Sequence, residues 1–236
     1  MKLFNRKKQA TNLNPRRQIL SRNSSFVAKE AYKTLRTNLR FFIQSKGCKK
    51  ISITSANAGE GKSITLMNLA ISMAETEQRV LLIDADMRRP ALARLLAEKA
   101  SPGLANVLAG MNTLEESIHT DVYPNLDILF SGDIPPNPSE LLSSEKMQQM
   151  LERLSSQYDY IMLDTPPVNI VSDTCIVASY LDGVLLLVRQ DRSRKDAVKR
   201  AVESLQLTGA KTLGFVLNGI PMSSDREYQG YKSYDL

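Results

Sequence analysis

The sequence predicts an α/β fold, a single domain in which a predominantly parallel sheet is flanked by helices. Short runs of apolar and β-branched residues alternate with segments of helical periodicity, which is the pattern of βαβ units. Several strand-like runs are apolar on both faces, as in "RVLLIDAD" (79–86), and strands of this kind are typical of parallel sheets. With 236 residues, 42% of them hydrophobic, the chain is long enough for one such core.

The first elements follow in order from the N-terminus. Residues 1–25 are rich in Asn, Ser, Lys and Arg and show little periodicity, so we expect a disordered arm. Residues 28–44 predict an amphipathic helix. Its apolar face is expected to consist of Ala31, Leu35, Leu39 and Phe42. A β-branched strand over 49–56, a glycine-rich turn and a mostly apolar helix over 64–75 come next.

The strand–helix pattern then repeats to the end of the domain. Pro90 favours the first turn of a helix, and residues 138–157 predict one long helix that begins near Pro138 or Ser139. The other elements are expected to be strand 79–86, helix 90–99, strand 126–132, strand 158–167, helix 173–181, strand 182–190, helix 194–209 and strand 212–220. After Ile220 the sequence turns polar and aperiodic. The domain is therefore expected to span 26–220, followed by a flexible tail over 221–236.

Composition excludes several classes of protein. The net charge of +6 is localised, because residues 1–25 hold seven of the 31 Lys and Arg residues and no acid. The nearly neutral remainder argues against a nucleic-acid-binding core. The basic arm suits either a solvated segment or a contact with anionic lipid or a membrane-bound partner. No apolar run is long enough to predict a membrane-spanning helix.

The single histidine and the two cysteines narrow the chemistry further. His119, which we expect in a helix, is the only histidine, so a His-based catalytic triad or a multi-histidine metal site is excluded. Cys48 and Cys175 do not form a metal-ligand or redox spacing, and we expect both to be free thiols in a reducing cytosol.

The strongest functional signal is "ANAGEGKS" (56–63). It fits the P-loop pattern G-x-x-x-x-G-K-[ST] with Ala56 in place of the first glycine, and it lies between a strand and a helix. Such a loop turns its backbone amides inward as a nest for phosphate, and the following helix adds its positive N-terminal end. We expect Lys62 to contact the β- and γ-phosphates and Ser63 to ligate Mg²⁺. ATP is expected to lie over Ala58, Gly59, Glu60, Gly61, Lys62, Ser63 and Ile64.

Acidic residues at two further strand ends support nucleotide and metal binding. Asp84 and Asp86 follow a strand at the edge where open α/β sheets bind ligands, and two residues apart they are expected to point to the same face. Paired like charges there call for a cation such as Mg²⁺. The strand in "YIMLDTPP" ends at Asp164, a Walker B pattern whose carboxylate supports the metal through water. Asn218 ends the last strand, where it would either recognise adenine or form an Asn-Gly turn.

Together these motifs resemble those of the P-loop tyrosine kinases of bacteria, the BY-kinases of capsule and exopolysaccharide systems. That family carries a Walker A loop, an apolar strand followed by D-x-D-x-R, and a Walker B motif, which read here as 56–63, 81–88 ("LLIDADMR") and 161–164. The resemblance runs from about Glu30 to the C-terminus. The last nine residues contain three of the eight tyrosines, and the resemblance implies that these are autophosphorylated: Tyr228, Tyr231 and Tyr234.

The resemblance implies roles for the charged residues. Lys62 and Mg²⁺ held by Ser63, Asp86 and Asp164 would stabilise the transferring phosphoryl group. Asp84 is the candidate base for the tyrosine hydroxyl, although its role and those of the other two aspartates are open to exchange. Arg88 would either bind phosphate or organise its loop.

The resemblance also implies partners and a location. The family member would act in the cytoplasm, recruited to the inner face of the cell membrane. Its activator would be the cytoplasmic segment of a membrane polysaccharide co-polymerase, an adaptor through which it would regulate capsular or exopolysaccharide synthesis and export. A ring-forming homo-oligomer and a cognate tyrosine phosphatase complete the expectation.

Two departures from related sequences define the alternatives. The family's ring helix carries E-x-x-R-x-x-R, which reads here as Glu30, Lys33 and Arg36, and Lys lacks the planar fork of Arg. An ordinary helix that packs on its own domain is the alternative.

The nearest competitors are MinD- and ParA-type ATPases, assembly switches whose loop has an extra lysine where this chain has Asn57. A nucleotide-dependent assembly module without catalysis is the third possibility.

Overall fold

The computed structural model describes residues 18–43 and 45–220, which form one sheet with helices on both faces. The strands are β1 (Lys49–Ser55), β2 (Val80–Asp84), β3 (Ile118–Tyr123), β4 (Leu126–Leu129), β5 (Tyr160–Asp164), β6 (Gly183–Arg189) and β7 (Thr212–Asn218). Their order in the sheet is β3-β4-β2-β5-β1-β6-β7. All neighbours pair in parallel except β3, which is antiparallel to β4 at one edge. The predicted α/β fold with a predominantly parallel sheet is confirmed.

Helices connect the strands and cover both faces of the sheet. They are α1 (Phe26–Phe42), α2 (Lys62–Ala74), α3 (Leu92–Leu96), α4 (Leu104–Ala109), α5 (Leu114–Ser117), α6 (Pro138–Leu142), α7 (Glu145–Ser155), α8 (Asp173–Ala178) and α9 (Lys195–Leu207). Within the described residues, none of them is both long and apolar enough to cross a bilayer.

The core lies on both faces of the central strands. In β2, Val80 and Leu82 pack in a cluster with α1, α2 and α3, whereas Leu81 and Ile83 pack in a second cluster with α4 and α7. A third, smaller cluster lies under α9. This burial on both faces explains the continuous apolar runs in the sequence. Because the strands are parallel, the residues that follow β1, β2 and β5 meet at one edge of the sheet.

The N-terminal boundary of the domain differs from the prediction. Ile19 and Leu20, expected in a disordered arm, are 5% and 7% exposed and belong to the core cluster under α1 and α2. The Leu20 amide donates to Asn68 Oδ1 (2.8 Å), and Asn68 Nδ2 donates to the Gln18 carbonyl (2.9 Å). The prediction of disorder is therefore wrong for 18–25, because two apolar side chains and a buried amide fix this segment on α2. The rest of the arm lies outside the described residues.

The buried face of α1 differs in phase from the predicted one. Leu35 and Leu39 face the core as expected, but Ala31 is exposed and Phe42 is 59% exposed. Tyr32 packs on the core in place of Ala31, and Ile43 just after the helix takes the place of Phe42. At each end of the predicted set, the residue that packs on the core is therefore the next one along the chain.

Two further elements differ from the sequence prediction. The helix expected over 138–157 is broken into α6 and α7, because Ser144 caps α7 by accepting from the Met147 amide (3.3 Å). Serine favours such caps over helix interiors. His119, expected in a helix, lies in β3 opposite Ile128, and its ring packs edge-on against Phe130 at 4.7 Å. The β-branched residues of "IHTDVY" suit this edge strand.

Candidate functional site

The P-loop connects β1 to α2 and has the backbone conformation that phosphate binding requires. Gly59 and Gly61 have positive φ angles of 73° and 106°, and α2 begins at Lys62 directly after Gly61. A Cβ atom on Gly61 would overlap the side-chain nitrogen of Asn218 and displace it from the loop, and the positive φ would be strained for any other residue. Within the described residues, no side chain caps the N-terminus of α2. Its free amides can therefore receive an anion.

The side chain of Glu60 faces the protein interior and braces this loop. It is completely buried, accepts from Ser193 Oγ (2.6 Å) and accepts from the side-chain and backbone nitrogens of Asn57 (3.2 and 3.3 Å). Ser193 Oγ also accepts from the Arg189 amide (2.8 Å), which fixes the loop after β6. The sequence predicts Glu60 among the residues that bind the nucleotide. In the structure its carboxylate stabilises the loop through its bonds to Asn57 and Ser193.

Side chains from the ends of β6 and β7 also hold the P-loop. Asn218 Nδ2 donates to the Glu60 carbonyl (2.9 Å), and its Oδ1 accepts from the Gly219 amide (2.8 Å). Arg192 donates to the Gly59 carbonyl (3.1 Å). Of the two predicted roles, the bond to Gly219 supports the Asn-Gly turn. Recognition of adenine by Asn218 stays a prediction. Arg192 was not predicted, since its partner is 133 positions away in sequence.

Asp84 and Asp164 end adjacent parallel strands and lie opposite each other in register. Both carboxyl groups are completely buried. Asp84 Oδ2 accepts from the Ala91 and Leu92 amides (3.1 and 3.0 Å), which ties the start of α3 to the strand. Among the described residues, Asp84 Oδ1 and both Asp164 oxygens have no hydrogen-bond partner. Buried polar atoms of this kind usually have a partner, and here a bound cation with its waters would supply it.

Asp86 lies beside the P-loop lysine. Its Oδ2 is 4.0 Å from Lys62 Nζ, and both residues are buried. Its Oδ1 accepts from the Arg89 amide (3.1 Å), so the side chain is fixed by its own turn. The predicted carboxylates are thus brought to the same edge of the sheet as the P-loop. Asp84 and Asp86 were expected to lie on one face of the same strand. In the structure β2 ends at Asp84, and Asp86 lies in the segment that follows it.

Burial dominates the electrostatics of these carboxyl groups. It raises the pKa of Asp84, and the neighbouring Asp164 raises it further. It also raises the pKa of Asp164, against the opposing influence of Lys62 and Ser63. The pKa of Asp86 is raised by burial and partly lowered again by Lys62. Three buried acids around one lysine form an electronegative site that favours a cation.

The residues present fit Mg²⁺ as an ion held largely through water and phosphate. Ser63 is the second residue of α2 and lies near Asp164, whose oxygens lack partners in the described part of the chain. Within that part, no group of three or more His, Cys, Asp or Glu side chains forms a cage for a metal ion. Magnesium ions bound with nucleotides normally use few protein ligands, so this arrangement suits such an ion.

Arg88 forms an ion pair with Asp173 that the sequence did not reveal. Its Nε donates to Asp173 Oδ2 (2.8 Å), and its Nη2 donates to Asp173 Oδ1 (3.1 Å) and Ser139 Oγ (2.9 Å). Of the two predicted roles, the geometry therefore favours organisation of the loop.

The residues expected at a subunit contact lie on α1. Lys33 pairs with Glu30 on the same helix (2.7 Å), and Arg36 donates to the Ser72 carbonyl and hydroxyl on α2. Arg36 thus packs on its own domain. The three tail tyrosines lie outside the described residues.

Comparison with known proteins agrees with this geometry. The family model described as "AAA domain" matches residues 48–207. The tyrosine-protein kinase YwqD of Bacillus subtilis is 38% identical over 206 residues, which cover 87% of each chain. The kinase domain of Escherichia coli tyrosine kinase ETK superposes with a TM-score of 0.79 at 34% identity, covering 83% of this chain and 77% of that one.

A second kind of protein shares the fold at greater distance. The septum site-determining protein MinD of Pyrococcus horikoshii OT3, complexed with Mg-ADP, superposes with a TM-score of 0.63 at 25% identity. It covers 75% of this chain, and 72% of its own length is matched. This likeness concerns the nucleotide-binding framework that both kinds of protein share.

Proposed function

Because the chain belongs to the family of bacterial P-loop tyrosine kinases, we propose that it transfers the γ-phosphoryl group of ATP to protein tyrosines. The acceptors include its own Tyr228, Tyr231 and Tyr234. One observation carries the proposal: a P-loop with free helix amides faces buried carboxylates whose oxygens lack partners among the described residues. Such a site is built for a nucleotide with its divalent cation.

The chain's own residues supply positioning and charge neutralisation, which are the main requirements of phosphoryl transfer. The backbone amides of 58–63 bind the phosphates, and Lys62 approaches the β- and γ-phosphates. Ser63, Asp86 and Asp164 would hold Mg²⁺ and its waters. The ion neutralises charge on the transferring group when it is bound. Burial of these residues excludes bulk water and strengthens each interaction.

The acceptor tyrosine must lose its proton during the attack. We assign this proton to Asp84, whose Oδ1 has no partner in the described part of the chain and whose pKa is raised by burial. A raised pKa makes the ionised carboxylate a stronger proton acceptor. Asp86 and Asp164 are the alternatives, and each would exchange its metal-holding role with Asp84.

The proposal extends to assembly and regulation. The chain would act at the inner face of the membrane, activated there by the cytoplasmic segment of an adaptor for capsular or exopolysaccharide synthesis and export. A tyrosine phosphatase would remove the phosphate groups from the tail. Glu30 and Lys33 are exposed or half-exposed on α1 and would contribute to a ring contact. Arg36 supports that contact indirectly, by fixing α1 on α2.

Incubation with Mg·ATP followed by mass spectrometry tests the activity. Wild-type protein, with and without an adaptor segment, should acquire phosphotyrosine on the tail. Lys62→Met removes the ammonium group that would contact the β- and γ-phosphates and keeps an apolar side chain of similar length. The variant should fold, and phosphorylation of the tail should be lost. Tail phosphorylation that persists in the Lys62→Met protein contradicts the assignment.

A MinD- or ParA-type ATPase is the alternative, favoured by the structural likeness to MinD. Such a protein would release phosphate without labelling its tail. Asn57 argues against it. The residue stands where those enzymes have their extra lysine, and its side chain is committed to Glu60. Phosphate release without phosphotyrosine in the experiment above would favour this alternative.

A further inference from the structure

Asp173 is a completely buried carboxylate at the first position of α8, outside the phosphate site itself. It receives three hydrogen bonds from two side chains. Arg88 donates twice in a forked geometry (2.8 and 3.1 Å), and Ser139 Oγ donates to Asp173 Oδ1 (2.7 Å). Arg88 also donates to Ser139 Oγ (2.9 Å), so the three side chains form a closed triangle.

A buried carboxylate is costly unless it is paired and hydrogen-bonded, so this triangle fixes its members strongly. The forked pair uses the planar geometry that only arginine offers. The three residues come from three segments: the turn after β2, α6 and α8. The triangle therefore ties the turn after β2 to two helices that are remote in sequence.

The turn held by this triangle carries the carboxylate nearest the P-loop lysine. Arg88 comes two residues after Asp86, whose Oδ2 is 4.0 Å from Lys62 Nζ. The end of the turn is fixed by Asp84, which accepts from the Ala91 and Leu92 amides at the start of α3. Two side chains attach the middle of the turn to the rest of the domain: Met87 is completely buried in the second core cluster, and Arg88 hydrogen-bonds to Asp173 on α8.

We propose that Asp173 is a positioning residue for phosphoryl transfer. Through Arg88, and bridged by Ser139, it holds the turn after β2 so that Asp86 stays beside Lys62. The inference rests on the proposed kinase function. Positioning errors of about 1 Å in such a site lower turnover by up to about a hundredfold without abolishing substrate binding. Asp173 acts through its bonds to Arg88 and Ser139.

The test compares Asp173→Asn with Asp196→Asn. Both aspartates lie in the first turn of a helix and pair with an arginine Nε, but Asp196 is exposed and pairs with Arg194 at 3.1 Å. We expect Asp173→Asn to lower kcat for tyrosine phosphorylation by about tenfold to about a hundredfold, with KM for ATP changed less than about threefold. Asp196→Asn should leave both constants unchanged.

A double-mutant cycle separates positioning from general loss of structure. Arg88→Gln and Arg88→Gln/Asp173→Asn are measured well below their melting temperatures. If the pair acts as one unit, the double variant is no slower than the worse single variant. If Asp173→Asn fails to fold, Arg88→Lys replaces it, because the Arg88 side chain is 39% exposed. The same kcat loss is expected of Arg88→Lys.

Three results would overturn the inference. They are an unchanged kcat in folded Asp173→Asn or Arg88→Lys, independent effects of the two residues in the cycle, or a rise in KM that accounts for the whole loss. If wild-type protein phosphorylates no tyrosine, the proposed kinase function fails instead, so the two failures are distinguishable.

Discussion

At the scale of single residues, two independent constraints favour glycine at position 61. Its φ of 106° is strained for any residue with a Cβ atom, and that atom would overlap the Asn218 amide. Gly209 provides a matched control, because its φ is 70° but nothing lies within 4 Å of the position that a Cβ atom would take. The two glycines therefore separate backbone strain from steric exclusion at the phosphate site.

We expect Gly209→Ala to lower the free energy of unfolding by about 1–2 kcal/mol through strain alone. Gly61→Ala should cost more and should also weaken nucleotide binding by more than about tenfold, because Asn218 must leave the loop. Thermal unfolding and titration with a fluorescent ADP analogue measure the two effects. Equal nucleotide affinity in both variants would contradict the steric argument.

The pKa of Asp84 gives a second prediction at this scale. Burial and Asp164 raise this pKa in the folded protein. The folded state therefore binds a proton more tightly than the unfolded chain, and this stabilisation is lost as pH rises above the ordinary carboxyl range. Without Mg²⁺, wild-type protein should lose stability between about pH 5 and about pH 8.

Asp84→Asn removes the charge and retains an oxygen for the Ala91 and Leu92 amides. We expect it to melt at least about 2–4 °C above wild type at about pH 8 in chelator, with the difference shrinking toward about pH 5. Asp196→Asn is the control, because the pKa of Asp196 is lowered by Arg194 and its charge is exposed. A difference in melting temperature between Asp84→Asn and wild type that does not change with pH would contradict the raised pKa of Asp84.

At the scale of elements, the segment before α1 belongs to the folded domain. Leu20 is 7% exposed and lies on α2, the helix that begins at the P-loop. Leu20→Ala should lower the free energy of unfolding by about 2–5 kcal/mol, as large-to-small changes in a core do. Leu207→Ala, at a side chain that is 88% exposed, should change it by less than about 0.5 kcal/mol. Chemical denaturation measures both, and a Leu20→Ala cost as small as the control's would place the segment outside the core.

The elements also show what the sequence can and cannot predict. The P-loop, β2 and β5 are predictable because their signals are local: glycine spacing, apolar runs and a terminal acid. The Arg88–Asp173 pair and the Glu60–Ser193 bond join residues 85 and 133 positions apart, and a single sequence contains no signal that connects them. The break at Ser144 is local, yet the flanking apolar periodicity conceals it.

At the scale of the whole molecule, the proposed function predicts that charge on the tail controls assembly. Tyr228, Tyr231 and Tyr234 lie among Asp225, Glu227 and Asp235. Each phosphate adds about −1.5 to −2 charges, and the candidate phosphate site, which the tail would have to enter, is lined by the buried carboxylates of Asp84, Asp86 and Asp164. Repulsion should therefore discourage a phosphorylated tail from occupying the site of a neighbouring subunit.

We expect the proposed ring to dissociate after incubation with Mg·ATP, which light scattering coupled to size-exclusion chromatography would show as a fall in molar mass. A variant with all three tail tyrosines changed to Phe keeps the aromatic rings and lacks the acceptor hydroxyls, so its mass should stay constant. A non-hydrolysable ATP analogue should leave both proteins assembled. Equal dissociation of wild type and the Phe variant would show that nucleotide turnover, rather than charge on the tail, drives disassembly. A wild-type protein that is monomeric at every concentration would contradict the ring itself.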